Sequence, residues 1–576
     1  MPRRFRLPAF PHIHFMAAAP LDAWVRLLRT PGARIGWRYW PRVGVNLALS
    51  ACVTVMTLPE RLVLAPILWW RGKRTGWRLE RPTAPSLGSP SLADTSPARG
   101  GGDARGGGGT PPPALVILGY YRTGTTHLHN LLACDQASQT PRWGQVLAPQ
   151  GFVLSWFVLR LFLTAVLPTR RPQDDMAFGP EWPGEDDFAL CNWTLASPLP
   201  GRVILPDSYQ YFRRFHDLER LTPRERTRWR RTQWAVLWKI ALIAPHKRLL
   251  LKTPPHTARV PALTDVLGGP GRIKFIHLSR EPGAVLQSNQ RLMRAMTPFH
   301  LQDAPADDTI RDRLIDEYSQ TERRLHLDAA SIPPGSLVRM RYQDLIADPV
   351  GELRRAYAEL GLAWTDGYER KVLAYLASVR EYRSETQKLA DRPTTGRLDQ
   401  LAVPDELRWM VPAFGHDRPA CPIVDPASFA LAKPLWPSRP RPVCGHPPQL
   451  MTAAAIGTVL VWLGLVLVVG HRATILAWLG GIAIGHAATL KRSGSVGRGT
   501  WCAAMTLGVS VFCIMVATFF IDLGEFSPRT SPQDWTRLWR GTWRHLSHES
   551  TILWTILGMA SAFRLGSRRF GAVPGR

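Results

Sequence analysis

The feature that most constrains this chain is a short apolar run that stops at a glycine and continues into a polar, cationic loop. The run, residues 115–118, is typical of a buried parallel strand. After the loop, Leu128, Leu131 and Leu132 recur at helical spacing and predict a helix. Free backbone N–H groups and the positive end of a helix dipole favour a phosphate or sulfate. The sequence therefore predicts an anion-binding loop; the alternative is a strand–turn–helix connection without a ligand.

The spacing of the two glycines of this loop, Gly119 and Gly124, also occurs in the phosphate loop of nucleotide triphosphatases. In that loop, lysine and then serine or threonine follow the second glycine and bind the outer phosphates and magnesium. Here Thr125 and Thr126 follow Gly124, and the cation, Arg122, precedes it. These departures disfavour a nucleotide-dependent kinase on a related fold, which stays an alternative.

Two further cations follow short apolar runs that predict strands. Lys252 directly follows the run 248–251, and His256 comes four positions later. Arg280 follows the run 273–278 after one intervening residue. Ligands of open α/β sheets bind at the carboxyl ends of the strands. We therefore expect these side chains to meet the anion-binding loop; the alternative for the first pair is a surface lysine and a helix-capping histidine.

The residues after Arg280 indicate a phosphate site. Pro282 suits the first turn of a helix, and Ser288 would then lie on its second turn, facing back towards the strand end. An arginine fork with a nearby hydroxyl suits a phosphate monoester.

An acidic cluster begins at Glu185, just before an apolar stretch. Three consecutive acids at a helix N-terminus are stabilised by the helix dipole and need no further role. A carboxylate close to an acceptor hydroxyl can also act as a general base. Both interpretations of Glu185 stay open on this pattern alone.

Taken in order, these motifs resemble those of sulfotransferases that use adenosine 3′-phosphate 5′-phosphosulfate (PAPS), in particular the bacterial-type branch. The resemblance covers about residues 114–412 and rests on an Arg-Thr-Gly-Thr-Thr loop, a Lys-Thr-Pro-Pro-His element, an Arg-Glu-Pro element with a serine six positions after its proline, the acidic segment 171–193 and the segment 341–349. Tyr121 stands where the family's loop usually has proline, and Gln343 replaces a glutamate. The resemblance implies an α/β fold, a parallel sheet with flanking helices of the phosphate-loop-type sulfotransferase kind, and sulfuryl transfer to a hydroxyl or amine without a metal.

The resemblance also implies roles for individual residues. Arg122 would stabilise the leaving group, Lys252 would hold the sulfuryl oxygens, and either His256 or Glu185 would be the general base. The 5′-phosphate would lie in the anion-binding loop, held by Arg122, Thr123, Gly124, Thr125 and Thr126. The 3′-phosphate would bind to the Arg-Glu-Pro element and its serine, that is, to Arg280 and Ser288.

The ends of the chain differ in composition from its middle. We expect an N-terminal helical segment, a Pro/Gly/Ser-rich linker, the α/β domain, a proline-rich linker and a C-terminal α-helical membrane domain, at residues 1–79, 80–113, 114–433, 434–450 and 451–576. Within the first, residues 43–70 are apolar, and Pro59, Glu60 and Arg61 interrupt the apolar pattern. This pattern favours a kinked helix at the membrane interface, and a buried helical hairpin is the alternative.

The membrane domain is predicted from long uncharged runs. Residues 452–470, 473–490 and 501–521 contain no Asp, Glu, Lys or Arg, and residues 551–563 form a shorter fourth candidate. Each long run approaches the roughly 20 residues that span hydrocarbon. Three to four spans, with arginine-rich loops mostly on one side, predict an integral membrane protein with a cytoplasmic catalytic domain if the cell is bacterial.

The 576-residue chain carries a net charge of +28, which favours an anionic partner. The basic residues are spread along the chain without a nucleic-acid-binding motif, so we expect no nucleic acid. Seven dispersed cysteines show no metal-ligand spacing.

Membrane attachment favours an acceptor on a lipid or glycan. A non-catalytic membrane protein that binds a nucleotide or a partner is the remaining alternative.

Overall fold

The computed structural model describes residues 15–79, 114–167, 178–379, 403–417, 502–509 and 558–559. Its centre is a five-stranded parallel sheet of order β2-β3-β1-β4-β5. The strands are β1 (Ala114–Leu118), β2 (Ser138–Gln139), β3 (Arg248–Lys252), β4 (Ile273–Ser279) and β5 (Leu337–Arg341). The predicted parallel sheet with flanking helices is therefore confirmed.

The register of the sheet brings the carboxyl ends of the central strands to one edge. Ile117 of β1 lies opposite Lys252 of β3 on one side and Ile276 of β4 on the other. Every residue of β1 and β3 is buried, as expected for parallel strands that helices cover on both faces. The loops that follow β1, β3 and β4 consequently start side by side.

Helices surround the sheet. They are α1 (Leu21–Leu28), α2 (Trp40–Arg74), α3 (Thr125–Leu132), α4 (Trp143–Leu147), α5 (Trp156–Val166), α6 (Asp186–Thr194), α7 (Tyr209–Asp217), α8 (Pro223–Ile243), α9 (Val260–Val266), α10 (Pro282–Met296), α11 (Asp307–Asp328), α12 (Tyr342–Ala347), α13 (Pro349–Glu359), α14 (Asp366–Ser378), α15 (Asp405–Arg408) and α16 (Met410–Ala413).

Alternate side chains of the strands fill two separate cores. Leu115 and Ile117 of β1 pack with α3, α13 and α14 on one face. Val116 of β1 and Phe275 of β4 pack on the other face, in a larger core that includes Trp234 of α8. This alternation follows from the two-residue period of a strand and explains why the strands are almost continuously apolar.

The N-terminal helices share the larger core. Trp24 of α1 and Val53 and Leu64 of α2 are buried in the same cluster as Val116. The segment predicted as one kinked helix is a single helix, because α2 continues through both of its internal prolines, Pro59 and Pro66, and this continuity excludes the helical hairpin. Both prolines are exposed. The carbonyl groups that lose their amide partners therefore lie on the side of α2 that faces away from the core.

Several predicted segments lie outside the described residues. These are the linkers 80–113 and 434–450, and the apolar runs of the C-terminal tail apart from short helical pieces at 502–509 and 558–559. Within the described part of the chain, one helix, at Trp37–Arg74, is long and apolar enough to cross a membrane.

Candidate active site

Two glycines shape the loop between β1 and α3. Gly119 has φ +145°, and a Cβ there would lie 2.6 Å from the carbonyl oxygen of Leu278. Gly124 has φ +102°, and a Cβ there would lie 2.4 Å from the ring of Tyr342. Between them Arg122 adopts φ +69°, an uncommon conformation for a residue with a side chain. The loop is therefore held tightly against the ends of β4 and β5, with α3 starting at its second glycine.

The hydroxyl residues of the loop differ in their surroundings. Thr123 is buried, and its hydroxyl donates to the carbonyl oxygen of Tyr120 at 2.8 Å. Thr125 begins α3 and is also buried. Thr126 lies in the first turn of α3 and accepts a hydrogen bond of 3.3 Å from Lys252. The first of these hydroxyls supports the loop, and the last faces another predicted site residue.

The loop and the start of α10 bring two arginines and a serine together. Arg122 Nε donates to Ser288 Oγ at 3.0 Å, and Arg280 Nη1 donates to the carbonyl oxygen of Arg122 at 3.3 Å. The guanidinium of Arg280 stacks 4.4 Å above the ring of Tyr342. Burial lowers the pKa of Arg280, and the nearby charge of Arg122 lowers it further. Two guanidinium groups at one loop make an environment that an anion would stabilise.

Lys252 connects the loop to the acidic cluster. It is the last residue of β3, its side chain is 3% exposed, and it forms an ion pair with Glu185. Glu185 immediately precedes α6, and its side chain is 14% exposed. The same lysine donates to Thr126, so Lys252 contacts both the carboxylate of Glu185 and the helical turn that follows the anion-binding loop.

His256, the other predicted base, points into the protein. Its Nε2 lies 2.8 Å from Oδ2 of Asp186, and both side chains have no exposed surface. Asp186 also accepts hydrogen bonds from Gln233 at 2.6 Å and from Thr253 at 2.7 Å. Burial alone would raise the pKa of Asp186, but the charge of His256 and these hydrogen bonds outweigh burial and lower it well below its usual range. Nδ1 of His256 is buried without a hydrogen-bond partner.

Asp186 and Asp187 are residues that the sequence did not single out within the acidic cluster. Asp187 pairs with the buried Arg259 at 2.7 Å and accepts a hydrogen bond from Ser197. Of the three consecutive acids, therefore, two bind the interior and Glu185 alone reaches the loop side. The available signal was that the three acids are consecutive at a helix start, because successive side chains of a helix point about 100° apart and cannot share one direction.

A buried ionic network lies behind the loop and was also missed. Glu317 accepts hydrogen bonds from the hydroxyl of Tyr120 at 2.9 Å and from that of Tyr209 at 3.0 Å, and it pairs with Arg202. The guanidinium of Arg202 stacks 4.0 Å above the ring of Tyr121. The two tyrosines that precede Arg122 are thus fixed from behind by one ion pair. Isolated acidic and basic residues far apart in sequence give no signal for such a pair.

No group of three or more His, Cys, Asp or Glu side chains is arranged to hold a metal ion in the part of the chain that the structure describes. The candidate site is a set of cations around a glycine-bounded loop, with one carboxylate beside them. Such a set can bind the phosphates of a nucleotide and neutralise charge on a group in transfer.

Comparison with known proteins identifies the family. A family model described as Sulfotransferase family matches residues 113–366. The chain is 31% identical over 307 residues to omega-hydroxy-beta-dihydromenaquinone-9 sulfotransferase Stf3 of Mycobacterium bovis, covering 53% of this chain and 75% of the relative. The Stf3 protein of Mycobacterium tuberculosis gives the same figures.

Two solved structures are similar at lower identity. Sulfotransferase STF1 of Mycobacterium tuberculosis is 22% identical, with a TM-score of 0.38 over 46% of this chain and 72% of that one. Sulfotransferase STF9 of Mycobacterium avium is 19% identical, with a TM-score of 0.39 over 64% of this chain and 89% of that one. On the strength of the family model and of the Stf3 relatives, this chain belongs to the sulfotransferase family.

Proposed function

We propose that the protein transfers a sulfuryl group from PAPS to a hydroxyl group of a lipid acceptor. The observation that carries this proposal is the convergence of Arg122, Lys252 and Arg280 on one loop from the ends of three adjacent strands. PAPS carries a 5′-phosphosulfate and a 3′-phosphate, so a site that binds it needs positive charge in two separate places. In this proposal the loop with Lys252 binds the phosphosulfate, and Arg280 with Ser288 binds the 3′-phosphate.

The reaction needs little covalent chemistry from the protein. The acceptor oxygen attacks sulfur, the bond from sulfur to the bridging oxygen of the 5′-phosphate breaks, and adenosine 3′,5′-bisphosphate leaves with the bonding electrons. Arg122 stabilises the charge that develops on the leaving phosphate but cannot donate a proton, because a guanidinium stays charged. Lys252 holds the sulfuryl oxygens. A base removes the proton of the acceptor hydroxyl.

We assign the base to Glu185 rather than to His256. The carboxylate of Glu185 is partly exposed and lies against the lysine that would hold the sulfuryl group. His256 is fully buried and uses one nitrogen to bind Asp186. In this arrangement His256 and Asp186 position the start of α6, and therefore Glu185, without touching the acceptor.

The two candidate bases can be separated by their pH–rate profiles. We expect Glu185→Gln to lower kcat by about 10²–10⁴-fold, to remove the acidic limb of the profile and to leave nucleotide binding intact. The matched variant His256→Gln should lower thermal stability but keep the acidic limb. The reverse pattern, with the acidic limb lost only in His256→Gln, would overturn the assignment.

The proposed acceptor rests on the relatives. Stf3 is named for a menaquinone derivative that carries an omega-hydroxyl group, and this chain covers three quarters of Stf3. We propose a hydroxyl-bearing isoprenoid lipid of the same chemical class. The predicted apolar runs of the C-terminal tail would hold the catalytic domain close to such an acceptor.

Incubating the full-length protein with PAPS labelled in its sulfuryl group, a lipid extract and an aqueous metabolite extract tests this function. We expect label in the lipid fraction, dependent on Glu185. Label confined to water-soluble products would reject the lipid acceptor, and magnesium-dependent turnover of ATP would support the kinase alternative. Binding of the bisphosphate without transfer to any acceptor would support the non-catalytic alternative.

A further inference from the structure

The two sides of α2 do not show the polarity expected for a helix on a water-soluble protein. Its buried side mixes apolar residues such as Val53 and Leu64 with four polar ones that are each no more than 1% exposed, namely Asn46, Ser50, Thr57 and Glu60. Its outer side is apolar: between residues 44 and 70 every exposed residue is glycine, proline or another apolar residue. A helix that faces water normally buries its apolar side and exposes its polar one. The outer side of α2 therefore suits a surrounding that is not water.

The apolar surface continues onto the neighbouring segment. Leu154 is 58% exposed and Phe157 is 74% exposed, just before and within α5. Glu60 fixes this segment to α2, because its carboxylate accepts the backbone N–H groups of Val153, Leu154 and Ser155 at 2.9, 2.7 and 3.0 Å. Glu60 is itself paired with Lys239 of α8 at 2.7 Å. The patch formed by the outer side of α2, Leu154 and Phe157 is consequently held in place by buried polar contacts.

Both ends of α2 carry tryptophan and basic residues. At the C-terminal end Trp69 and Trp70 are 56% and 52% exposed, and Lys73 and Arg71 lie 4.5 and 5.9 Å from their respective rings. At the N-terminal end Trp40, the first residue of α2, is 50% exposed, and Arg42 lies in the first turn. Tryptophan and basic side chains are enriched where a membrane meets water, because the ring is amphipathic and the charge attracts anionic headgroups.

The geometry favours a helix that lies on the membrane rather than across it. The 35 residues of α2 extend about 50 Å at 1.5 Å per residue, well beyond the hydrocarbon thickness of about 30 Å. Its inner side is packed along its length into the core of the catalytic domain. A transmembrane orientation would draw the polar parts of that domain into the hydrocarbon.

We propose that the patch formed by α2, Leu154 and Phe157 lies in the plane of an anionic phospholipid bilayer and docks the catalytic domain on it. The outer side chains of α2 enter the headgroup and acyl boundary, and the basic residues at its C-terminal end contact anionic headgroups. This docking surface is independent of the reaction proposed above and of any anchoring by the C-terminal tail.

Site-directed photo-crosslinking of the full chain tests the proposal. p-Benzoylphenylalanine is placed at Val55 or at Leu62, which are 72% and 68% exposed on the outer side of α2. The control position is Leu327, which is 71% exposed on α11. The protein is reconstituted into vesicles of phosphatidylcholine and phosphatidylglycerol, irradiated and analysed by mass spectrometry.

We expect phospholipid adducts at positions 55 and 62 and none at position 327. Crosslinks from 55 and 62 to the apolar C-terminal runs of the same chain would overturn the proposal, because those runs would then cover the patch. Crosslinks to a second copy would overturn it in favour of a dimer interface. The absence of lipid adducts at 55 and 62, with no other crosslink, would also overturn it.

Discussion

Replacing Arg280 with alanine separates the proposed 3′-phosphate site from the rest of the nucleotide site. Arg280 stacks on Tyr342 and donates to the backbone of Arg122, and Arg122 in turn donates to Ser288. The guanidinium is mostly buried, so a phosphate that binds there exchanges water for charge-assisted hydrogen bonds. The variant removes those bonds and leaves the glycines of the loop unchanged.

The size of the effect follows from the type of contact. A hydrogen bond between charged groups contributes about 1.5–3 kcal/mol. Taking about 3 kcal/mol for one guanidinium that contacts one phosphate, Arg280→Ala should weaken binding of adenosine 3′,5′-bisphosphate about 150-fold. Adenosine 5′-monophosphate lacks the 3′-phosphate, so its affinity should change by less than about threefold, which is the effect of a small rearrangement.

Isothermal titration calorimetry of both nucleotides, with the protein in detergent, measures this difference. Arg311→Ala removes one exposed positive charge from α11 and serves as the control for net charge. An equal loss of affinity for the two nucleotides in Arg280→Ala would mean that the arginine only supports the loop. An unchanged preference for the bisphosphate would refute the 3′-phosphate assignment.

Three other changes test the structural reasoning. Gly124→Ala forces a Cβ to within 2.4 Å of the Tyr342 ring at φ +102°, so nucleotide affinity measured by calorimetry should fall at least tenfold, while Gly44→Ala, in open space, should not change it. The pKa of Asp186 is lower in the folded state than its unfolded value of about 4, so ionised Asp186 stabilises the fold at pH values above about 4. This stabilisation is lost as the pH falls from about 4 through the lower pKa of the folded state. The thermal stability of Asp186→Asn should therefore depend less on pH below about 4 than that of the unchanged protein. Lys239→Met leaves Glu60 buried without its ion-pair partner and should lower the free energy of unfolding in denaturant by roughly 3–5 kcal/mol, with part of the loss recovered when Glu60→Gln is added.

The elements of the α/β domain were predictable because their signals are local. The apolar run at 115–118 became β1, and the run at 273–278 became most of β4, since a strand buried on both faces needs uninterrupted apolar residues. The helix predicted after Arg280 begins at Pro282, where proline suits the first turn. The helix expected over residues 43–70 continues through Pro59, because the rest of α2 packs well enough to carry a proline on its outer side.

The sequence by itself determined the order of the strands along the chain, the glycine-bounded loop and the cations that follow each strand end, because all of these depend on a few neighbouring residues. Only the tertiary structure decided which partners those residues meet. At the start of α6, Asp186 points to His256, whereas Glu185 points to Lys252. Likewise, the packing of α2 against the core made Glu60 an interior residue and turned an apolar side outward. Such choices depend on contacts between residues far apart in the chain, which local patterns do not record.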